Sequence, residues 1–120
     1  MSDTEILAST INNNDSMETL DGAINRLQLS GRLLSTPEVR DFVSGARAVK
    51  VLFTFPQRGR KARPGVVDVL MWIDANGKNA EAVQQALQFK QGDEAVINGK
   101  ISLNYYHGRV SFSVIADSIE

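Results

Sequence analysis

The 120-residue chain contains no cysteine and a single histidine, His107. The first absence excludes disulfides, thiolate metal ligands and cysteine nucleophiles; the second removes any histidine cluster and most histidine-based catalysis. No run of about 18 apolar residues is available to cross a bilayer. The opening Met1-Ser2-Asp3-Thr4-Glu5 is acidic where a secretory signal needs positive charge. These absences predict a cytoplasmic chain with no membrane partner, no metal and no cofactor. Glu81 and Asp93 read as helix-end partners, and no carboxylate pair is flanked by a nucleophile or ligand set, so a non-enzymatic role is expected.

What is present suits one folded unit. Hydrophobic residues make up 42% and charged residues 22% of the chain, close to the average for a globular domain, and 120 residues are too few for two independent cores. The net charge of -1 conceals an asymmetry. Residues 1–24 carry five acids (Asp3, Glu5, Asp15, Glu18, Asp21) and no Lys or Arg, a charge of -5. All 13 basic residues fall in the other 96, against nine acids, a balance of +4. The overall acidity therefore says little against a polyanionic ligand.

The polar, Asn-rich segment 1–24 reads as a flexible acidic arm, and residues 25–120 as the folded domain. Leu27, Leu29 and Gly31 alternate with Arg26, Gln28, Ser30 and Arg32, the period of a half-buried strand. A linker with Pro37 and Gly45 follows, then a Val- and Phe-rich strand from Ala46 to Phe55 ended by Pro56. Residues 57–65, with two glycines, a proline and four cations, form a hairpin tip, and Val66 to Ile73 form a third strand. On that strand Trp72 shares the solvent or ligand face with Asp68 and Leu70. Asn76-Gly77 is a turn, and Asn79 caps a helix running to about Phe89. Glu94 to Tyr106 and the segment from Arg109 form the last two strands, turned at His107-Gly108. Phe53, Phe55 and Phe112 are expected in the core. Five strands with one helix between the third and fourth is the order of the OB-fold, an all-β barrel that binds oligonucleotides on one sheet face.

Three blocks in this frame resemble bacterial single-stranded DNA-binding proteins. Asn25-Arg26-Leu27-Gln28-Leu29-Ser30-Gly31-Arg32-Leu33, followed by Pro37-Glu38, is similar to the opening of that family. Gly77-Lys78-Asn79-Ala80-Glu81 is similar to its helix start, and Gly92 with Val96 to Ile101 around Gly99 to its fourth strand. Together they span roughly residues 25–117 in the family's order. A primosomal replication-restart protein of the same fold is more distantly similar. The resemblance implies a five-stranded OB-fold barrel, sequence-tolerant binding of single-stranded DNA in replication, recombination or repair, and a dimer or tetramer built through the first strand. The chain departs from the pattern in three places. Trp72 stands two residues after the family's usual tryptophan, where this sequence has Leu70, and Asn76 replaces an aromatic. The chain stops at Asp117-Ser118-Ile119-Glu120, without the acidic tail that recruits partners in the family.

The candidate nucleic-acid-binding residues follow from these features. Arg58, Arg60, Lys61 and Arg63 crowd four cations at one tip, where they repel one another unless a polyanion compensates them. Arginine also bonds phosphate in bidentate fashion and stacks on bases. Tyr106 shares a strand face with Lys100, the aromatic-plus-cation composition of a single-strand groove. Trp72 and Arg109 complete the set, while His107 at its turn reads as structurally ordinary. Two other readings remain open at this level: a protein-interaction adaptor of primosome type, and an RNA-binding OB module.

Overall fold

The computed structural model describes residues 23–59 and 63–120. The strands are β1 (Leu27–Leu33), β2 (Glu38–Asp41), β3 (Arg47–Phe55), β4 (Gly65–Trp72), β5 (Glu94–Tyr106) and β6 (Arg109–Ile119). One helix, α1 (Ala80–Ala86), lies between β4 and β5. In the sheet the strand order β1-β5-β6-β4-β3 closes into a ring, because β1 also pairs with β3. The predicted arm falls outside the described residues except for Ala23 and Ile24, which are exposed.

Alternation builds the interior. Val49, Val51 and Phe53 on β3 stand opposite Met71, Val69 and Val67 on β4, and all six are buried. Leu33, Ile97, Val114 and Ile119 complete the wall, and α1 adds Val83 and Ala86. Each of the larger side chains contributes roughly 1.5–3 kcal/mol when taken fully out of water. β-branched residues dominate because they suit the pleated surface and lose little rotamer freedom there.

Two glycines let the ring close. A Cβ on Gly31 would run into the Thr54 carbonyl oxygen, and one on Gly99 into that of Ile115. The first permits β1 to bridge from β5 to β3 at Arg32/Thr54 and Leu33/Phe53. The second sits where the β5–β6 register shifts between Asn98 and Gly99, a bulge that bends the hairpin. At the chain's entry, Asn25 donates through Nδ2 to the Ile101 carbonyl (2.9 Å) and accepts through Oδ1 from the Ile101 N–H (3.0 Å). Its side chain thus extends the β1–β5 ladder by one rung.

Four expectations need correction. The linker after β1 contains β2, whose Glu-Val-Arg-Asp sequence has no apolar alternation; it forms by pairing with the free edge of β3 from Glu38/Lys50 to Asp41/Arg47. The Arg47–Asp41 ion pair (2.9 Å) crosses from β3 to β2, while Arg40–Glu38 (3.3 Å) lies within β2. The helix is seven residues, ending at Ala86, and a turn at Leu87 and Gln88 follows it. Asn79 makes no side-chain cap bond. It accepts instead from the Asp74 N–H (3.0 Å) and donates to the Trp72 carbonyl (2.7 Å). Asp74 in turn accepts from the N–H groups of Asn76 and Lys78, an Asx-type turn in which Gly77 takes a φ of +78°. Phe112 is not a core residue, because β6 has left the ring by that point and its ring is about half exposed.

Candidate nucleic-acid interface

The outer face of the ring is set by register. On β4, Leu70 and Trp72 point away from the core, and their cross-strand partners on β3 are Lys50 and Ala48. Leu70 is also paired with Ile115 of β6, which stands opposite Lys100 of β5. Continuing outward along the hairpin, the same face carries Ser102 opposite Ser113, Asn104 opposite Ser111 and Tyr106 opposite Arg109. A polar-to-apolar strip therefore crosses β3, β4, β6 and β5 without a break.

Leu70, Trp72, Lys100, Ile101, Ser102, Asn104, Ser113, Ile115 and Asn25 line a shallow depression in this strip. Trp72 is 41% exposed, and its backbone is fixed by the Asn79 bond already described. Leu70 lines the same depression because residues two apart share a strand face, so the two-residue displacement of the tryptophan keeps it on the same surface. Asp68 lies on this face as well, and is its one acid on β4.

Phe42 is a feature that sequence reasoning missed. Its ring centroid lies 5.1 Å from that of Trp72, tilted by 52°, so the tryptophan is buttressed from the side. The contact arises because Phe42 is the next residue on the face that Glu38 and Arg40 share, just before a tight turn in which the Phe42 N–H donates to the Ala46 carbonyl and the Gly45 N–H to the Phe42 carbonyl. Only the unpredicted strand β2 brings residue 42 there.

The remaining candidates lie farther along. Tyr106 lies six residue steps along the strand from Lys100, roughly 20 Å at about 3.3 Å per residue. Tyr106 is 73% exposed, packed edge-on against His107 at 4.0 Å. His107 adopts a φ of +48° and Gly108 one of +76°, the two positive values of a tight hairpin turn whose twist matches the strands. Because β6 runs parallel to β4, the hairpin tip and the β3–β4 loop project toward the same end of the ring. That loop holds Arg58 and Arg63, both exposed, and is pinned by a bond from Gln57 Nε2 to the Arg63 carbonyl (2.7 Å). Arg60 and Lys61 lie outside the described residues. The structure thus unites Trp72 with Lys100, places Tyr106 beside Arg109, and leaves the loop arginines as a third cluster at the tip end.

Cation availability follows the same division. Among the described residues, ion pairs engage Arg32 with Glu94, Arg40 with Glu38 and Arg47 with Asp41. Arg58, Arg63, Lys100 and Arg109 are in none of them. A face with a half-exposed indole, an exposed phenol and uncommitted cations offers flat apolar surfaces beside positive charge.

A closed five-stranded ring with a helix between its third and fourth strands is the OB-fold, and the comparisons agree. No family model and no curated protein matches the sequence. Among solved structures, the chain is similar to a deletion mutant of the single-stranded DNA binding protein from Thermus aquaticus, at 22% identity and a TM-score of 0.59. That match covers 84% of this chain and 43% of the other, so this chain spans less than half of its length. It is also similar to the Plasmodium falciparum SSB in complex with single-stranded DNA, at 14% identity and a TM-score of 0.64, covering 83% of this chain and 92% of that one. The likeness shows the fold: an OB-fold of the form found in single-stranded DNA-binding proteins.

Proposed function

We propose that the chain binds single-stranded DNA with little sequence preference, as a component of replication, recombination or repair. The observation that carries this reading is the depression in which Trp72 and Leu70 lie beside Lys100 on the uncovered outer face. Bases stack on Trp72, with Phe42 behind it, and on Tyr106; each stacked base contributes roughly 1–3 kcal/mol. Phosphates are neutralised by Lys100, Arg109, Arg58 and Arg63, together with Arg60 and Lys61. The role is binding rather than catalysis, performed in the cytoplasm by a homo-oligomer. Residues 1–24 act as an acidic tether that competes for the same cations, because their charge of -5 is joined in sequence to Asn25, whose side chain lines the depression.

Trp72 is the only tryptophan, so its fluorescence reports this site alone. Titration with oligo(dT) is expected to quench it. Unchanged emission with no binding by anisotropy removes the nucleic-acid reading in favour of a protein adaptor. Tighter binding of oligo(U) than of oligo(dT) moves the assignment to RNA.

A further inference from the structure

The outer half of β5 has an open backbone edge. β1 pairs with β5 only between Leu27/Gly99 and Arg32/Glu94, and the Asn25 side chain adds one rung by bonding both the N–H and the carbonyl of Ile101. Along an antiparallel strand, successive residues turn their backbone groups to opposite edges. Because Ile101 turns its groups toward β1, Leu103 and Tyr105 do the same, while Ser102, Asn104 and Tyr106 turn theirs to Ser113, Ser111 and Arg109 of β6. Among the described residues nothing pairs with Leu103 and Tyr105 on the β1 side. Ala23 and Ile24 are exposed, belong to no strand and make no backbone bond to β5, so the chain leaves this edge at Asn25.

The side chains flanking the open edge differ between the two sides of the hairpin. On one side Ile101, Leu103 and Tyr105 stand opposite Val114, Phe112 and Val110, and all of these except the buried Val114 are between 43% and 74% exposed. The other side carries Ser102, Asn104, Ser111 and Tyr106, with Lys100 at its ring end and Arg109 at its tip. Neither cation is in an ion pair among the described residues.

We propose that this edge of β5 takes up an extended segment of a partner protein as an added antiparallel strand, apolar at alternate residues and acidic between them. The unpaired N–H and carbonyl groups of Leu103 and Tyr105 select extended main chain, which a helix cannot supply because its own backbone groups are already bonded. With five side chains of roughly 200 Å² each about half exposed, the apolar side offers on the order of 500 Å². That is less than the roughly 800 Å² each partner gives to a standard interface, and it suits a short segment whose main-chain bonds add to the burial. The residue opposite Leu103 in an antiparallel pair shares its side, and the next one shares the side of Asn104. Alternate residues of the segment therefore meet Leu103, Tyr105 and Phe112, and those between them lie on the side of Lys100 and Arg109, where acids find uncompensated positive charge. In residues 1–22 of this chain Ile6, Leu7, Ile11, Met17 and Leu20 follow no such alternation, so the fitting segment belongs to another protein.

The test titrates the full chain into a fluorescein-labelled, end-capped peptide of alternating glutamate and valine, about seven residues long as an ordinary strand is. Anisotropy reads binding, and amide hydrogen exchange reads Leu103 and Tyr105. Binding with slowed exchange at both amides is expected. N-methylation of the valines removes the N–H groups that face β5 in antiparallel pairing and is expected to weaken binding by roughly ten-fold or more. N-methylation of the glutamates, whose N–H groups face away, is expected to be tolerated. Tyr105→Pro removes one donor from the open edge and none from the β5–β6 ladder. It is expected to weaken the peptide to the same degree, with oligo(dT) binding and far-ultraviolet circular dichroism at parental values. The methylated peptides need only the parental chain, so a misfolded proline variant leaves the test intact. A peptide that does not bind, that binds equally well with methylated valines, or that leaves both amides unprotected overturns the proposal. So does protection of both amides in the chain alone, which means that residues 1–22 or a second copy pair there. The same protection from oligo(dT) assigns the edge to nucleic acid, again against the proposal. Peptide binding by a chain that ignores oligo(dT) sustains this inference and defeats only the DNA reading.

Discussion

The two halves of the β5–β6 hairpin obey one sequence rule and reach opposite ends. From Glu94 to Lys100 the apolar residues Ala95 and Ile97 are buried, because β1 lies on one side and the core beneath. From Ile101 to Tyr106 the same alternation holds, and its apolar members stand in solvent. Periodicity specifies which side of a strand is apolar. What covers that side is decided by how far the neighbouring strands extend.

Four measurements sharpen or break this contrast. Ile97→Ala, in the buried half, is expected to cost about 2–5 kcal/mol in denaturant unfolding through reduced burial and an unfilled cavity. Leu103→Ala in the dilute chain is expected to cost less than about 1 kcal/mol, as exposed positions do; equal costs would mean the outer half is covered within a single chain. Next in size, Trp72→Ala should weaken oligo(dT) binding by roughly 1–3 kcal/mol without altering its salt dependence, since a stacked ring releases no counterions. Tyr106→Ala is expected in the lower part of that range, having only His107 to support it.

On the proposed function, the loop cations act on the electrostatic part of binding. With about four to six phosphates neutralised, the logarithm of affinity should fall against the logarithm of salt with a slope of roughly -3 to -4. Replacing Arg58, Arg60, Lys61 and Arg63 by glutamine should flatten it by up to about 0.7 for each phosphate left without its cation. A parental slope in that variant means the strand runs along the depression and never reaches the tip loop. The smallest effect belongs to the acidic segment. Removing residues 1–22, which spares the Asn25 bonds, should tighten binding a few-fold at low salt and not at all once screening shortens the Debye length to about 3 Å near 1 M.

The three blocks that carried the family resemblance turn out to be requirements of the fold. Gly31 admits the Thr54 carbonyl, Gly99 the Ile115 carbonyl, and Gly77 turns the chain with positive φ. No other residue fits these positions without strain, so the ring was legible in the sequence even where the candidate binding residues depart from the pattern. The faces of Trp72, Lys100 and Tyr106 were legible too, being fixed by alternation alone. β2 was not, since four mostly charged residues carry no hydrophobic period and depend on the edge of β3 for their structure. Phe42 went unseen for the same reason: its meeting with Trp72, 30 positions on, depends on that strand. The exposure of Phe112 was hidden because it turns on the reach of β1 and β4.

The six strands are also two three-stranded sheets, β1-β5-β6 and β2-β3-β4, sewn together by two short seams. One seam is Arg32/Thr54 with Leu33/Phe53; the other is Val69/Val114 with Leu70/Ile115. Such places are where a native structure opens part-way, and amide hydrogen exchange reads the opening directly. The depression straddles the second seam, with Leu70 and Trp72 on one sheet and Lys100, Ser113 and Ile115 on the other. On the proposed function, a strand of DNA lying there would hold the two sheets shut, slowing exchange at Leu70 and Ile115 in proportion to its occupancy. Binding would then be felt as a damping of the barrel's own breathing.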